Sequence, residues 1–154
     1  MPIGNVTSQI FSNIYLNELD YFIKHRLKVK DYFRYADDFV IISREMKYLE
    51  NLIPVIQDFL YSELGLELHP RKVEIRKFSQ GIDWLGYVIM PYYIVLRTKT
   101  KKRMFKKLAQ RRAVFLKGEI DARSYNQSVQ SYLGILRHCE GYRLEKKIRE
   151  MVKI

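Results

Sequence analysis

An α+β fold in two parts is what the sequence predicts, on three observations. Short β-rich runs alternate with amphipathic stretches up to about residue 97, strand signals stop beyond Thr98, and the charge balance changes at the same point. At 154 residues, 47% of them hydrophobic and 14% aromatic, the chain can bury the core of one domain, or of one domain with a small appendage. That composition excludes a disordered or fibrous chain.

The elements follow in order. From Ser8 to Leu27, apolar residues recur at Phe11, Tyr15, Leu19 and Phe22, with Ile10, Ile14 and Ile23 alongside, which is the spacing of one helix face. Thr7 or Ser8 can cap its first turn. The runs Tyr32-Phe33-Arg34-Tyr35 and Phe39-Val40-Ile41-Ile42 flank an acidic turn and predict a hairpin over about 32–43. Glu45 to Glu63 reads as a second helix, with Met46, Leu49, Ile53, Ile56 and Leu60 on one face and Gly65 as its C-cap. Pro54 marks a point where that helix is expected to kink or split. Leu66–Leu68 and Val73–Phe78 read as short strands around a His69-Pro70 turn, and Ile82–Met90 with Tyr93–Arg97 as a second hairpin around Pro91. Three helices are expected at about 100–116, 121–137 and 142–152, separated by Gly118 and Gly141. The expected division is therefore 1–97 and 98–154.

Charge separates these parts. Residues 1–96 carry 11 Lys/Arg against 12 Asp/Glu, a balance of −1, and residues 97–154 carry 17 against 5, a balance of +12. Ten basic residues and no acid lie between Arg97 and Lys117, where unrelieved repulsion calls for a polyanionic partner rather than a merely solvated face. Lys99, Lys101, Lys102, Arg103, Lys106, Lys107, Arg111 and Arg112 are the candidate contacts to a nucleic-acid backbone. Met104, Phe105, Leu108, Val114, Phe115 and Leu116 read as a core-facing stripe, which argues against a membrane surface. The single cysteine, Cys139, excludes an internal disulfide framework and is too little for a zinc cluster. With no leader-like start and no long apolar stretch, the sequence predicts a soluble protein of the cytoplasm.

Tyr35-Ala36-Asp37-Asp38 carries the chemistry. It sets two adjacent carboxylates at a hairpin tip on a buried sheet, a rigid place for metal ligands. Hard oxygen ligands suit Mg²⁺ (or Mn²⁺), which takes one or two carboxylates and completes its shell with water and substrate phosphate. Taken alone, a solvated Asp-Asp turn is the plainer reading, and the surrounding motifs decide against it.

Upstream stands Pro2-Ile3-Gly4-Asn5-Val6-Thr7-Ser8-Gln9, running into Ile10-Phe11-Ser12-Asn13-Ile14-Tyr15-Leu16. Downstream stand Leu64-Gly65-Leu66-Glu67-Leu68-His69-Pro70-Arg71-Lys72-Val73 and Asp83-Trp84-Leu85-Gly86-Tyr87. Four motifs in this order, over roughly residues 2 to 90, resemble a reverse transcriptase, from its Gly/Ser/Asn helix motif through its lysine motif to its primer-grip hairpin. Ile3 and Gln9 make the stretch most similar to the diversity-generating retroelement type, with group II intron and retron enzymes as relatives. The fold so implied is a partial polymerase palm, an antiparallel sheet with two helices, followed by a basic helical thumb.

The resemblance implies a role for each matched residue. Asp37 and Asp38 would hold the ions of a two-metal nucleotidyl transfer, Asp37 being the stronger ligand candidate. Lys72 would approach the leaving pyrophosphate. Gly4, Ser8, Gln9 and Asn13 would lie near the incoming nucleotide and template, the position of Gln9 being associated with fidelity in similar enzymes. Tyr35 and Ala36 would lie under the primer terminus, and Trp84, Leu85 and Gly86 would form the primer grip. Implied partners are an RNA template, a DNA or RNA primer, dNTP and a small basic accessory protein.

One departure stands out. Reverse transcriptases bring a third metal-binding aspartate, and their fingers, from sequence upstream of the Gly/Ser/Asn helix, where this chain has no aspartate. Asp20 and Asp31 are the nearest acids and neither substitutes well, so the expectation is a C-terminal portion that needs a missing N-terminal half. Two functions stay open: a fragment of an RNA-directed DNA polymerase, and a non-catalytic nucleic-acid-binding module derived from one.

Overall fold

The computed structural model describes residues 6–152, and the chain packs as two compact units that divide between Ile75 and Arg76. In the first unit, helix α1 (Val6–Tyr21) continues into a π-helical turn at Phe22–Arg26. A hairpin follows, β1 (Asp31–Tyr35) and β2 (Asp38–Ile42), and then helix α2 (Met46–Leu64). Thr7 and Ser8 lie inside α1, so its N-cap falls outside the described residues.

Leu16, Leu19, Ile23 and Val29 pack against Leu52, Ile56, Leu60 and Leu64, the 4-residue stripe of α2, and Phe22 stacks on Phe59 with ring centroids 3.9 Å apart. Two expectations are corrected here. The buried face of α2 runs through Leu52 and Leu64, leaving Met46 exposed and Leu49 and Ile53 only half-buried. On α1 only the C-terminal half of the apolar stripe is covered, and Ile10, Phe11 and Ile14 are 53%, 60% and 63% exposed. The core of this unit reaches α1 from Leu16 onward and no further.

Pro54 does not split α2. The residue sits on the exposed side, where the carbonyl its missing N–H leaves free can meet water. Gly65 closes the helix in the left-handed conformation at φ 59°, its N–H donating to the Tyr61 carbonyl and the following Leu66 N–H to the Leu60 carbonyl. No strand forms at 66–68 or 73–78. Those runs have no neighbouring strand among the described residues to pair with, and the Leu68 N–H donates instead to Gln57 Oε1 at 2.8 Å.

The second unit opens with a three-stranded antiparallel meander, β3 (Ile82–Trp84), β4 (Tyr87–Ile89) and β5 (Ile94–Leu96). The strand expected over 82–90 is thus broken at Leu85-Gly86, both at positive φ (50° and 88°), the requirement of a two-residue hairpin turn. Helices α3 (Thr98–Leu116), α4 (Ala122–Leu136) and α5 (Tyr142–Val152) follow within two residues of expectation. Their core joins Leu96, Met104, Leu108, Tyr125, Val129, Leu133, Leu136 and Ile148. Leu116, expected in the buried stripe, is 62% exposed at the helix end.

The packing division comes before the boundary expected at 97/98, because the meander packs on the helices. Leu96 is in the helical core, the Tyr87 hydroxyl donates to the Ile135 carbonyl at 3.0 Å, and the Glu140 N–H donates to the Ile94 carbonyl at 2.7 Å.

Candidate functional site

The β1–β2 hairpin pairs Tyr35 with Asp38 across a two-residue turn made of Ala36 and Asp37. Residues opposite each other share a face, so Tyr32, Arg34, Phe39 and Ile41 point inward and Phe33, Tyr35 and Asp38 outward. Tyr32, Phe39 and Ile41 pack on the core, which fixes the register and with it the position of the turn. Asp38 opens β2 on the outer face, and Asp37 lies in the turn itself. Both carboxylates are exposed, and neither makes a hydrogen bond or ion pair among the described residues.

The turn is anchored from beneath by Arg34. Its Nε donates to Asp20 Oδ1 at 2.7 Å and its Nη2 to Asp20 Oδ2 at 2.6 Å, a two-point ion pair between β1 and α1. Its Nη1 donates to the Ala36 carbonyl at 2.8 Å and to Asn13 Oδ1 at 3.1 Å. One guanidinium therefore ties α1 to the central peptide of the acidic turn. The Tyr32 hydroxyl donates to Asp20 Oδ1 at 2.7 Å and completes the network.

The electrostatics follow from these contacts. For Asp20, burial works to raise the pKa, but hydrogen bonds from Arg34 and Tyr32 and the guanidinium charge outweigh it and hold the carboxyl below its usual range. The bond to Asp20 raises Arg34 further, and burial, with the Asp20 bond, pushes the Tyr32 phenol up. Ala36 sits at φ 53°, a conformation that costs a non-glycine residue about 1–2 kcal/mol. Strain of this kind persists where the surroundings over-determine the backbone, and Arg34 supplies that constraint.

Asn13 is brought to the turn by Arg34, and Gln9, one helical turn earlier on the same stripe of α1, is exposed. Ser8 is half-buried, Tyr35 and Ala36 are exposed at the tip, and Gly4 lies outside the described residues. Lys72 is exposed in the turn closed by its N–H to the His69 carbonyl, and it forms no ion pair with Asp37 or Asp38. Asp31 stands at the opposite end of β1 from the turn, and Asp20 is committed to Arg34, so neither completes a ligand set there. No cluster of three or more potential metal ligands occurs among the described residues. Two exposed carboxylates with free oxygens fit part of a Mg²⁺ or Mn²⁺ shell and not all of a two-ion site.

In the second unit, Trp84 is half-buried on β3, and Leu85-Gly86 forms the hairpin tip with Leu85 47% exposed. The Arg97 N–H donates to the Gly86 carbonyl at 2.9 Å, and the Arg97 guanidinium pairs with Asp83, which braces this turn. On α3, Lys99, Lys102, Arg103, Lys106, Lys107 and Arg111 are exposed, and Lys101 and Arg112 are half-buried.

The residues not anticipated are Arg34 and Asp20 as the support of the turn. The signal was present: in Asp31-Tyr32-Phe33-Arg34-Tyr35, strand alternation sets Arg34 on the same side as Tyr32, and a cation on a buried face requires an acidic partner.

Residues 1–89 match the family described as reverse transcriptase (RNA-dependent DNA polymerase). Protein P of hepatitis B virus genotype E subtype ayw4 (isolate Kou) is 35% identical over 57 residues, covering 37% of this chain and 6% of that protein. The chain thus spans a small part of the length of this curated relative. Among the described residues no helix is long and apolar enough to cross a membrane.

Proposed function

The chain belongs to the reverse transcriptase (RNA-dependent DNA polymerase) family, and from that premise we propose that it forms part of the palm and the thumb of an RNA-directed DNA polymerase. The observation that carries the reading is the acidic turn, where Asp37 and Asp38 present free carboxylates on a backbone pinned by Arg34 and Asp20. Asp37 and Asp38 would hold Mg²⁺ or Mn²⁺, which supplies charge neutralisation at the triphosphate and activates the primer hydroxyl. The chain's own residues do the positioning. Arg34 holds the turn, Tyr35 and Ala36 form the surface beside the carboxylates, and Asn13 and Gln9 offer amides along α1. Lys72 would meet the leaving pyrophosphate, and Trp84, Leu85 and Gly86 would bear on the primer.

We place the thumb in α3 to α5, whose basic residues would grip the RNA template and its DNA or RNA primer by their phosphates while dNTP is added. The diversity-generating retroelement type, with a small basic accessory protein, is the subgroup favoured by Ile3 and Gln9. A further carboxylate would come from another segment or another chain, seated beside an edge of the β1–β2 hairpin that no strand among the described residues pairs.

Primer extension on an RNA template with Mg²⁺, with this chain beside Asp37→Asn, tests the reading. Extension that is lost in the variant supports a working site. A folded chain that binds duplex and never extends a primer, even when supplied with upstream palm sequence, overturns it. The second reading, a nucleic-acid-binding module without catalysis, is favoured by the lack, among the described residues, of a third carboxylate at the turn.

A further inference from the structure

We infer that the end of the first unit remote from the acidic turn is a separate binding site, which takes a single-stranded nucleic acid on a collar of lysines and arginines beside a ring platform of Tyr21 and His25. It shares no residue with the acidic turn or with the basic helix α3, so it stands independently of the polymerase reading.

Two stretches far apart in the sequence build the collar. The π-helical turn and the residues after it carry Lys24, Arg26, Lys28 and Lys30 within seven positions. The hairpin register sets Asp31 opposite Ile42, so the chain leaves β2 at the end where Lys30 enters β1, and Arg44 and Lys47 follow there. All six cations are exposed. They are six of the nine Lys and Arg of this unit, and residues 24–31 and 43–47 hold two carboxylates, Asp31 and Glu45. None of the six pairs with a carboxylate among the described residues. Lys24 Nζ donates to the Lys30 carbonyl at 2.9 Å, which uses one of its three N–H groups and leaves its charge unbalanced.

Local structure accounts for only part of this charge. Lys24 and Arg26 complement the negative end of the helix they close, as cations at a C-terminus do. Arg44 and Lys47 stand at the N-terminus of α2, where the helix dipole disfavours a cation and no acidic residue occupies the first turn. Lys28 holds a positive φ of 54°, which glycine or asparagine would hold at lower cost. Six like charges gathered against these local preferences are relieved by a polyanion.

The rings decide which polyanion. Tyr21 and His25 lie one helical turn apart with centroids 4.7 Å apart and planes tilted by 33°. Tyr21 is 55% exposed and His25 is exposed, so flat faces lie among the cations. A single strand offers repeated phosphates and open base faces together, whereas a duplex keeps its base faces stacked. The collar is also distant from the carboxylates. Asn13 is bonded to Arg34 at the acidic turn, and the helix from Asn13 to Arg26 rises about 20 Å.

Fluorescence anisotropy of a labelled single-stranded RNA oligonucleotide with the full chain, over a range of salt, tests the proposal. Lys28→Gln with Lys30→Gln is expected to weaken binding about three- to tenfold at low salt. It should also make the slope of log K against log salt shallower by about 1.4, the value for two phosphates on a single strand. Tyr21→Ala should weaken binding severalfold with the slope unchanged, because stacking releases no counterion. These side chains are exposed, and circular dichroism checks that the variants keep their fold. Lys106→Gln with Lys107→Gln reports on α3 separately. Amide signals of residues 24–30 and 44–47 should shift with the oligonucleotide in the unaltered chain and in that α3 variant alike. A DNA oligonucleotide of the same sequence should give the same shifts, since phosphates and base faces are common to both. Shifts confined to α3, or unchanged affinity and slope in Lys28→Gln with Lys30→Gln, would overturn the proposal and leave the polymerase reading intact. Shifts of 24–30 and 44–47 by phosphatidylserine vesicles and not by the oligonucleotide would make the collar a lipid contact and overturn it too.

Discussion

Arg34 and Asp20, 14 positions apart in the chain, meet in a two-point ion pair whose guanidinium also holds the Ala36 carbonyl at 2.8 Å. The side chains are only 12% and 29% exposed, so the pair is shielded from water at the place where helix α1 meets the hairpin. Removing one member leaves the other charged and poorly solvated. Arg34→Ala or Asp20→Ala should therefore cost about 2–4 kcal/mol, read from the urea midpoint, and the double variant should cost less than the sum.

The same pair gives the first unit a pH dependence. Asp20 has its folded pKa below the ordinary carboxyl value of 3.8. Its contribution is therefore fully present above that value and is lost as pH falls through the lower folded pKa. Asp20→Asn should flatten the acid limb of the stability profile between about pH 5 and pH 2 while lowering stability at neutral pH. Acid titration of the urea midpoint for both proteins checks it.

Asp37 and Asp38 should bind a divalent cation through their free carboxylates. Mg²⁺ or Mn²⁺ at millimolar concentration is expected to shift or broaden the amide signals of residues 35–38 in the unaltered chain. Asp37→Asn with Asp38→Asn should abolish the effect without altering the rest of the spectrum. Arg34→Gln should reduce it, because the turn then loses its anchor at Ala36.

Leu85 holds a positive φ of 50° in a turn whose second residue, Gly86, is at 88°, the pairing that Asn-Gly satisfies best. Leu85→Asn should stabilise the second unit by about 0.5–1 kcal/mol, since Leu85 is half exposed and its loss empties no core site. The same substitution should weaken duplex binding if the leucine bears on the primer, a gain of stability against a loss of function. Urea melts and anisotropy on one preparation separate the two effects.

Cys139 is half-buried, and burial pushes its thiol above the ordinary value, aided by the nearby Glu140 charge and opposed by a backbone hydrogen bond. Alkylation by iodoacetamide should be slower than that of a free cysteine at pH 8, with a midpoint of the rate profile above 9.0. Urea should abolish the difference.

The helices and both hairpins were legible in the sequence because their signals are local. Apolar spacing, a short turn between two β-rich runs and Gly65 past the end of α2 each act within a few residues, and α2 to α5 fall within two residues of their expected ends, although the turn is Ala36-Asp37 and Asp38 already belongs to β2. The short runs at 66–68 and 73–78 misled for the complementary reason. A strand is completed by a neighbour, and strand-like composition there met none.

By itself, then, the sequence determined the element order, the acidic turn, the concentration of positive charge on α3 and the family motifs, all of which are properties of neighbouring residues or of their order. Only the tertiary structure decided which apolar stripe is covered, leaving Ile10, Phe11 and Ile14 exposed on α1, and where packing divides, at Ile75/Arg76. It alone joined Arg34 to Asp20 and Arg111 to Ser124 and Ser128. Contacts of that kind depend on how folded elements meet, and the energy of a buried charge or a free guanidinium is set by what surrounds it rather than by its place in the chain.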